Sequence, residues 1–323
     1  MHLRKSLAAT VAFSLLTLAG AQAQAPQQQD ATAAVAAARG NAPIVAWASK
    51  PAKQPAYKAP NKLVYHLKDV LAAHKGKQSW RQAVVSTRDF VANWISMAPG
   101  EKTKTVFHAD DRTFWEVQSG QMRVTIQGQE PFIASKHFLV QVPKRLTYSL
   151  ETVGTEPVLY FEVEPAGEPA QYPITETPTP VPGFKYIQAT YTGHGDYDAI
   201  NHPFIDFEKD IVTGGKKTGV WIRDDHTYVT ILRSQKGVPT PPDTEWGHMH
   251  ANFPEFWLII EGTQQFLVEG EKLVTVSDGD LVATTEGRYH RAEPYGDTPS
   301  TRLAFIPRPD NLHWFQPGAG GGN

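Results

Sequence analysis

In the stretch GHMHANFPEFWLIIEG, residues 247–262, two histidines and a glutamate stand at spacings that suit a metal ion. Side chains alternate across a strand, so His248 and His250 share one face and Met249 takes the other. Asn252, Phe253 and Pro254 read as a turn and EFWLII as the returning strand, an arrangement that can bring Glu255 back beside the two imidazoles. The same letters also describe an ordinary half-buried hairpin. A complete coordination sphere needs a further ligand from elsewhere in the chain.

The elements that must position these residues read as strands. From about Trp80 onward short apolar runs are broken by Gly, Pro and Asp, as in TFWEVQSGQMRVTIQG, HFLVQVP and PVLYFEV, and later in EFWLIIEGTQQFLVEG, KLVTVSDGDLVATTEG and TRLAFIP. Strands at this spacing predict a sandwich or barrel. The two groups are copies of one another. An offset of 142 positions lays residues 100–165 on residues 242–307 without a gap. His108 falls on His250, Phe114-Trp115 on Phe256-Trp257, Gly120 on Gly262, Gly128 on Gly270 and Pro165 on Pro307. The chain is therefore read as a tandem duplication of a small β domain. The copies are joined by the Pro-rich EPAGEPAQYPITETPTPVPG. Ahead of the first copy, NKLVYHLKDVLAAHKG carries Leu63, Leu67, Val70 and Leu71 at helical spacing, which predicts a short helix.

Composition narrows the function classes. The 323 residues, 41% hydrophobic and 20% charged, suffice for two ordinary domains with proper cores. A net charge of -2 without a long basic run gives no electrostatic case for nucleic acid. The absence of cysteine removes disulfides, thiol nucleophiles and thiolate metal sites. The N-terminus has basic Arg4 and Lys5, an apolar run from Leu7 to Ala19 and an Ala-Gln-Ala pattern, the form of a secretory signal peptide cut after Ala23 or Ala25. The apolar run is too short for a membrane anchor. The expected location is periplasmic or secreted, with no membrane association once the signal is removed.

In the second copy DLVATT ends at a Glu286-Gly287 turn and RYHRAEP runs back, with His290 the only histidine on this element. The order His248-x-His250, Glu255, Gly262, then Gly279, Gly287 and His290 resembles the two-part signature of the cupin superfamily, with Thr285 where a proline usually precedes the second-motif glycine. The resemblance implies an all-β fold of tandem double-stranded β-helix (jelly-roll) barrels with a short N-terminal helical extension. It also implies that His248, His250, Glu255 and His290 hold one divalent metal per chain. Three imidazoles and a carboxylate independently suit Fe, Mn, Cu, Ni or Zn, with positions left open for water or substrate. His290 is expected to close the sphere across the barrel from the other three.

On this reading residues 1–25 are signal peptide, 26–79 an N-terminal extension and 80–166 a first, degenerate and metal-free cupin domain. Residues 167–218 are the interdomain linker, 219–310 the metal-binding domain and 311–323 a tail. The first copy reads Val106, His108, Thr113 and Tyr148 at the ligand positions, which makes His108 a satisfied core or pocket histidine. Trp246 has the parity of His248 and Arg288 that of His290, so both are candidate catalytic residues, Arg288 toward an anionic substrate. YTGHGDYDAINHPF, residues 191–204, is a loop or lid between the domains.

Three function classes fit. The first is a metal-dependent oxidoreductase; the paired domains are similar to quercetinase-like dioxygenases and to oxalate-oxidising or decarboxylating bicupins, although the latter usually keep the site in both halves. The second is a Lewis-acid isomerase, lyase or hydrolase acting on a sugar or hydroxy acid. The third is a non-catalytic exported binding protein. The oxidoreductase is favoured, with a small-molecule substrate as partner and a homodimer left open. Intact-mass measurement of the exported protein should find the chain beginning near Gln24 or Pro26; retention of Met1 on a cytoplasmic protein would refute the signal-peptide reading.

Overall fold

A computed structural model of the chain describes residues 45–235, 245–308 and 313–316. The signal peptide and its cleavage site lie outside these residues. The duplication is present as two barrels, each built from two antiparallel sheets. The first barrel has a six-stranded sheet in the order Phe204–Asp206, Phe138–Val142, Thr113–Ser119, Val158–Pro165, Phe90–Met97, Trp80–Ser86. Against it lie Phe132–Ala134, Met122–Ile126 and Tyr148–Thr152. The second has a six-stranded sheet in the order Val64–Tyr65, Leu281–Ala283, Phe256–Glu261, Ser300–Ile306, Tyr228–Ser234, Val220–Arg223. Its facing sheet has five strands, ordered Val274–Ser277, Thr263–Val268, His290–Pro294, His248–Met249, Trp314–Phe315. No helix among the described residues is long and apolar enough to cross a membrane.

The aromatic pairs show why these strands are apolar on both faces. Trp115 and Trp257 point into their own barrels, among Val117, Val124 and Leu150 in one and Ile259, Phe266 and Val276 in the other. Phe114 and Phe256, one position earlier, point the other way, into a core shared by the two six-stranded sheets. There Phe305 stacks on Phe256 at 4.6 Å and on Phe114 at 6.0 Å. Trp94, Phe161 and Trp221 complete a layer to which both barrels contribute. Burial of one such ring is worth about 1.5–3 kcal/mol, whereas an ion pair open to solvent gives about 0–1 kcal/mol. The apolar layer therefore joins the barrels, and the charges at its edge set their alignment.

The barrels also exchange strands. Val64–Tyr65, from the N-terminal extension, pairs with Leu281 and Val282 of the second barrel. Phe204–Asp206, from the segment between the copies, pairs with Phe138, Leu139 and Val140 of the first. Val64 faces Val282 and Phe204 faces Val140, positions that are equivalent in the repeat. The extension and the later part of the linker are thus sheet strands, each followed by a helical turn that enters the shared core. The first of these is the expected helix, shortened to Leu67–Ala73: it buries Leu67 and Val70, leaves Leu71 exposed and places Leu63 before it. Its first N–H is satisfied from the second barrel, where Asp280 Oδ1 accepts from Leu67 N at 2.9 Å. The second is a π-helical turn, Phe207–Thr213, burying Phe207 and Ile211. The loop of residues 191–204 runs along the first barrel, where Gly195 N–H donates to Lys144 O and the Tyr197 hydroxyl to Gln141 O.

At the seam, Asp278 of the second barrel accepts from Gln118 Nε2 at 2.9 Å and from Lys136 Nζ at 2.8 Å, both from the first. Burial pushes its carboxyl up, but bonds from His137, Lys136 and Gln118 prevail and bring it down to about 2. A depressed carboxylate stabilises the fold above its unfolded value of 3.8, and that contribution is lost as pH falls toward about 2. Asp278→Asn should lower the urea midpoint at neutral pH and flatten the acid limb of the stability profile; parallel profiles for the two proteins would show that the seam carboxylate does not stabilise the fold.

Candidate metal centre

Four side chains converge inside the second barrel. His248 lies directly opposite His290 on the neighbouring strand. His250 follows the end of its strand, and Glu255 immediately precedes Phe256–Glu261. The two segments of the opening motif do not form a hairpin ladder, because they belong to different sheets. The three histidines come from one sheet, and Glu255 reaches them from the other. Glu255 rather than His290 thus closes the set across the barrel, reversing the expectation from sequence. Each residue offers one ligand atom, and all four atoms lie within 4.8 Å of one another. Among the described residues this is the only such group.

The geometry is centred on one carboxylate oxygen. Glu255 Oε2 lies 2.8 Å from His250 Nε2, 3.1 Å from His290 Nε2 and 3.9 Å from His248 Nε2. Burial pushes the Glu255 carboxyl up, but hydrogen bonds from His248, His250 and His290 overcome it and hold the group well below the usual carboxylate range. Burial brings His250 down, outweighing the opposing effect of Glu255. At His290, Nδ1 lies 3.0 Å from the Arg288 carbonyl and donates to it, so Nε2 is the nitrogen that faces the centre and the one a bound metal would take. The Trp257 ring lies 5.0 Å from the His290 ring and Phe253 stacks on His250 at 4.2 Å, which leaves the imidazoles little room to turn. A buried anion beside three convergent imidazole nitrogens fits a divalent transition metal by donor type and by charge.

Local backbone features hold this arrangement. Gly247 has φ 77°, and a Cβ there would stand 2.5 Å from His290 O, so only glycine lets the two motif strands approach. Gly287 N–H donates to His250 O at 2.6 Å, tying the second motif's turn to the first. The N-terminal arm packs over that turn: a Cβ on Gly287 would collide with the Pro51 ring, and the Lys50 ammonium pairs with Glu269 and donates to Gly287 O. Arg288 belongs to the same contact. Its guanidinium bonds Glu271 at 2.6 Å and Pro55 O at 3.2 Å and lies 5.0 Å from the Tyr57 ring centre. The structure thus places Arg288 as the clamp for the arm, with its carbonyl orienting His290. Trp246 is half-buried, and its N–H donates to Gln316 Oε1 at 2.9 Å. Among the described residues, no ring contact joins it to the four ligands. A cavity of about 270 Å³ lies between the arm and both barrels, lined by residues 55–58, 85–88, 254–256 and 283–286, Glu255 among them.

In the first barrel Val106 bridges Tyr148 in the register in which His248 faces His290. His108 is buried and stacks 6.5 Å from Tyr148, and neither of its ring nitrogens has a hydrogen-bonding partner among the described residues. The expectation of a satisfied histidine is therefore not met. Sequence reasoning also missed His313. Its strand, Trp314–Phe315, pairs with His248–Met249 and brings the His313 ring within 4.5 Å of both His248 and His250. The signal was present in the aromatic alternation of HWF, in a segment read only as a tail.

No protein-family model matches the chain, and no curated protein matches it. Solved structures do. A cupin 2 conserved barrel domain protein from Leptotrichia buccalis aligns at 12% identity with a TM-score of 0.50, over 76% of this chain and 98% of that one. A salicylate 1,2-dioxygenase variant from Pseudoaminobacter salicylatoxidans, in complex with gentisate, aligns at 12% identity with a TM-score of 0.54, over 75% of this chain and 80% of its own. Oxalate decarboxylase from Bacillus subtilis aligns at 13% identity and a TM-score of 0.48, over 80% of each chain. The likeness is one of fold, two cupin-type β-barrels in one chain. Its second barrel carries a His-His-Glu-His group fit for a metal.

His290→Ala should lower metal affinity by at least the roughly 10–100-fold seen when outer partners of a metal site are lost, and His108→Ala should leave it unchanged. Chelation should lower the melting temperature of the wild type and barely move that of His290→Ala. A His290→Ala protein with wild-type metal content and response to chelator would remove His290 from the ligand set.

Proposed function

We propose that the chain is an exported metal-dependent enzyme that carries out an oxidoreductase reaction of the dioxygenase kind on a small organic substrate, with one divalent transition metal in the second barrel and none in the first. The observation that carries this reading is the convergence of three imidazole nitrogens on one buried carboxylate oxygen. Four protein ligands leave positions open on a metal of higher coordination number, where such a metal binds substrate and activates it or dioxygen. The residues supply the surroundings of that chemistry. Glu255 gives the centre its charge, the Arg288 carbonyl fixes the His290 tautomer, and Trp257 and Phe253 pack the imidazoles. A salicylate 1,2-dioxygenase of similar fold, solved in complex with gentisate, supports a small organic substrate.

The reading assigns export to the N-terminal signal pattern and the single metal to the incomplete set Val106, His108, Thr113 and Tyr148 in the first barrel. It needs no nucleic acid or membrane partner. Metal analysis of the purified exported protein should give about one transition metal per chain, and oxygen uptake with a panel of small phenols and organic acids should depend on that metal. A stoichiometry near two would refute the one-metal assignment. Turnover that persists without oxygen would place the reaction among Lewis-acid isomerisations or eliminations, and no turnover with any metal would make the protein a binding module.

A further inference from the structure

A fourth imidazole stands beside the centre. Among the three ligand histidines, ring centres are separated by 5.1 Å for His248–His250, 4.5 Å for His248–His290 and 5.5 Å for His250–His290. His313 lies 4.5 Å from both His248 and His250, within the spacing of the ligands themselves. Its place follows from register. Phe315 faces His248 and Trp314 faces Met249, so His313 lies beyond Trp314 toward His250, on the face that carries His248 and His250. Gln316 anchors the strand: its N–H donates to Gly247 O at 2.9 Å and its Oε1 accepts from Trp246 N. The Phe315 ring, on the same face, lies 5.4 Å from His248. His313 is half-buried, as is His248, whereas His250 and His290 are closed off from solvent. The C-terminal strand thus lies beside His248, the most exposed of the four. No ligand atom of His313 belongs to the convergent group of four.

We infer that His313 is a binding residue for the exogenous group that occupies the open side of the centre, and that this group is a small anion or an anionic arm of the substrate, such as a carboxylate or enolate. The inference rests on the metal reading above. Three neutral imidazoles and one carboxylate around a divalent ion leave one positive charge, which selects an anion. An imidazole N–H at the edge of the set donates to such an anion without occupying a coordination position. His313 thereby takes the substrate-recognition role that parity alone suggested for Arg288, whose guanidinium is engaged by the N-terminal arm.

The test uses the full mature chain loaded with Co(II), azide as the anion and the visible absorption of cobalt as the readout. The wild type should take up about one cobalt per chain and bind azide. His313→Ala should keep that stoichiometry and the azide-free spectrum, while its azide Kd rises about tenfold or more, as for loss of a hydrogen bond to a charged group. His313→Gln, which retains an N–H donor, should recover most of the affinity. An azide Kd in His313→Ala equal to that of the wild type would overturn the inference. Loss of cobalt from His313→Ala would overturn it differently, by making His313 a ligand. Failure of the wild type to take up cobalt would sink the metal reading itself and the inference with it.

Discussion

A carboxylate withdrawn from bulk water must be neutralised or compensated, and Glu255 is such a group. Its compensation comes from three imidazoles, two within 3.1 Å of the same oxygen. Much of the surrounding structure maintains that contact. The pairing of His248 with His290 sets two of the rings side by side. Gly247 permits the close approach of their strands, and the bond from Gly287 N to His250 O keeps the two motifs in step. The N-terminal arm then covers the turn that delivers His290. A shift of one residue in any of these strands would turn a ligand away from the barrel interior and leave the charge uncompensated.

The second constraint is the apolar layer between the barrels. Each aromatic pair divides its work, with the phenylalanine serving the shared core and the tryptophan its own barrel interior. The strand that carries Phe256 begins next to Glu255. Packing of that strand against the first barrel therefore also holds the carboxylate in place. This gives the first barrel a structural part in the centre without requiring chemistry in its own interior. The seam around Asp278 adds polar specificity to a contact whose strength is apolar.

The fold and the four convergent side chains were legible because both are written in local patterns. Period-2 alternation, turn glycines at one fixed offset and the spacing of His248, His250, Glu255 and His290 all survive as strings of letters. Parity served less well where the backbone leaves a regular strand. Arg288 shares the parity of His290, but it stands at the Gly287 turn, two residues before the strand His290–Pro294, and the arm captures it. Glu255 and the histidine pair looked like two arms of a hairpin because only four residues lie between His250 and Glu255; the chain uses those residues to pass between sheets. His313 and the two exchanged strands were missed for a common reason. Each is a short segment whose only partners are far away in sequence, and nothing in its own letters names them.

The exchanged N-terminal strand ties the beginning of the chain to its last third. His66 meets Asp280 across 214 positions, and Val64–Tyr65 covers an edge that does not exist until Leu281–Ala283 has been made. During synthesis the strand emerges ahead of both barrels and has to wait, unpaired, for most of the chain to follow. Contacts of this separation carry a large loop-closure cost before they return any stabilisation, and they slow folding. The second barrel, where the metal ligands lie, cannot lock its edge while the C-terminal half is still being made.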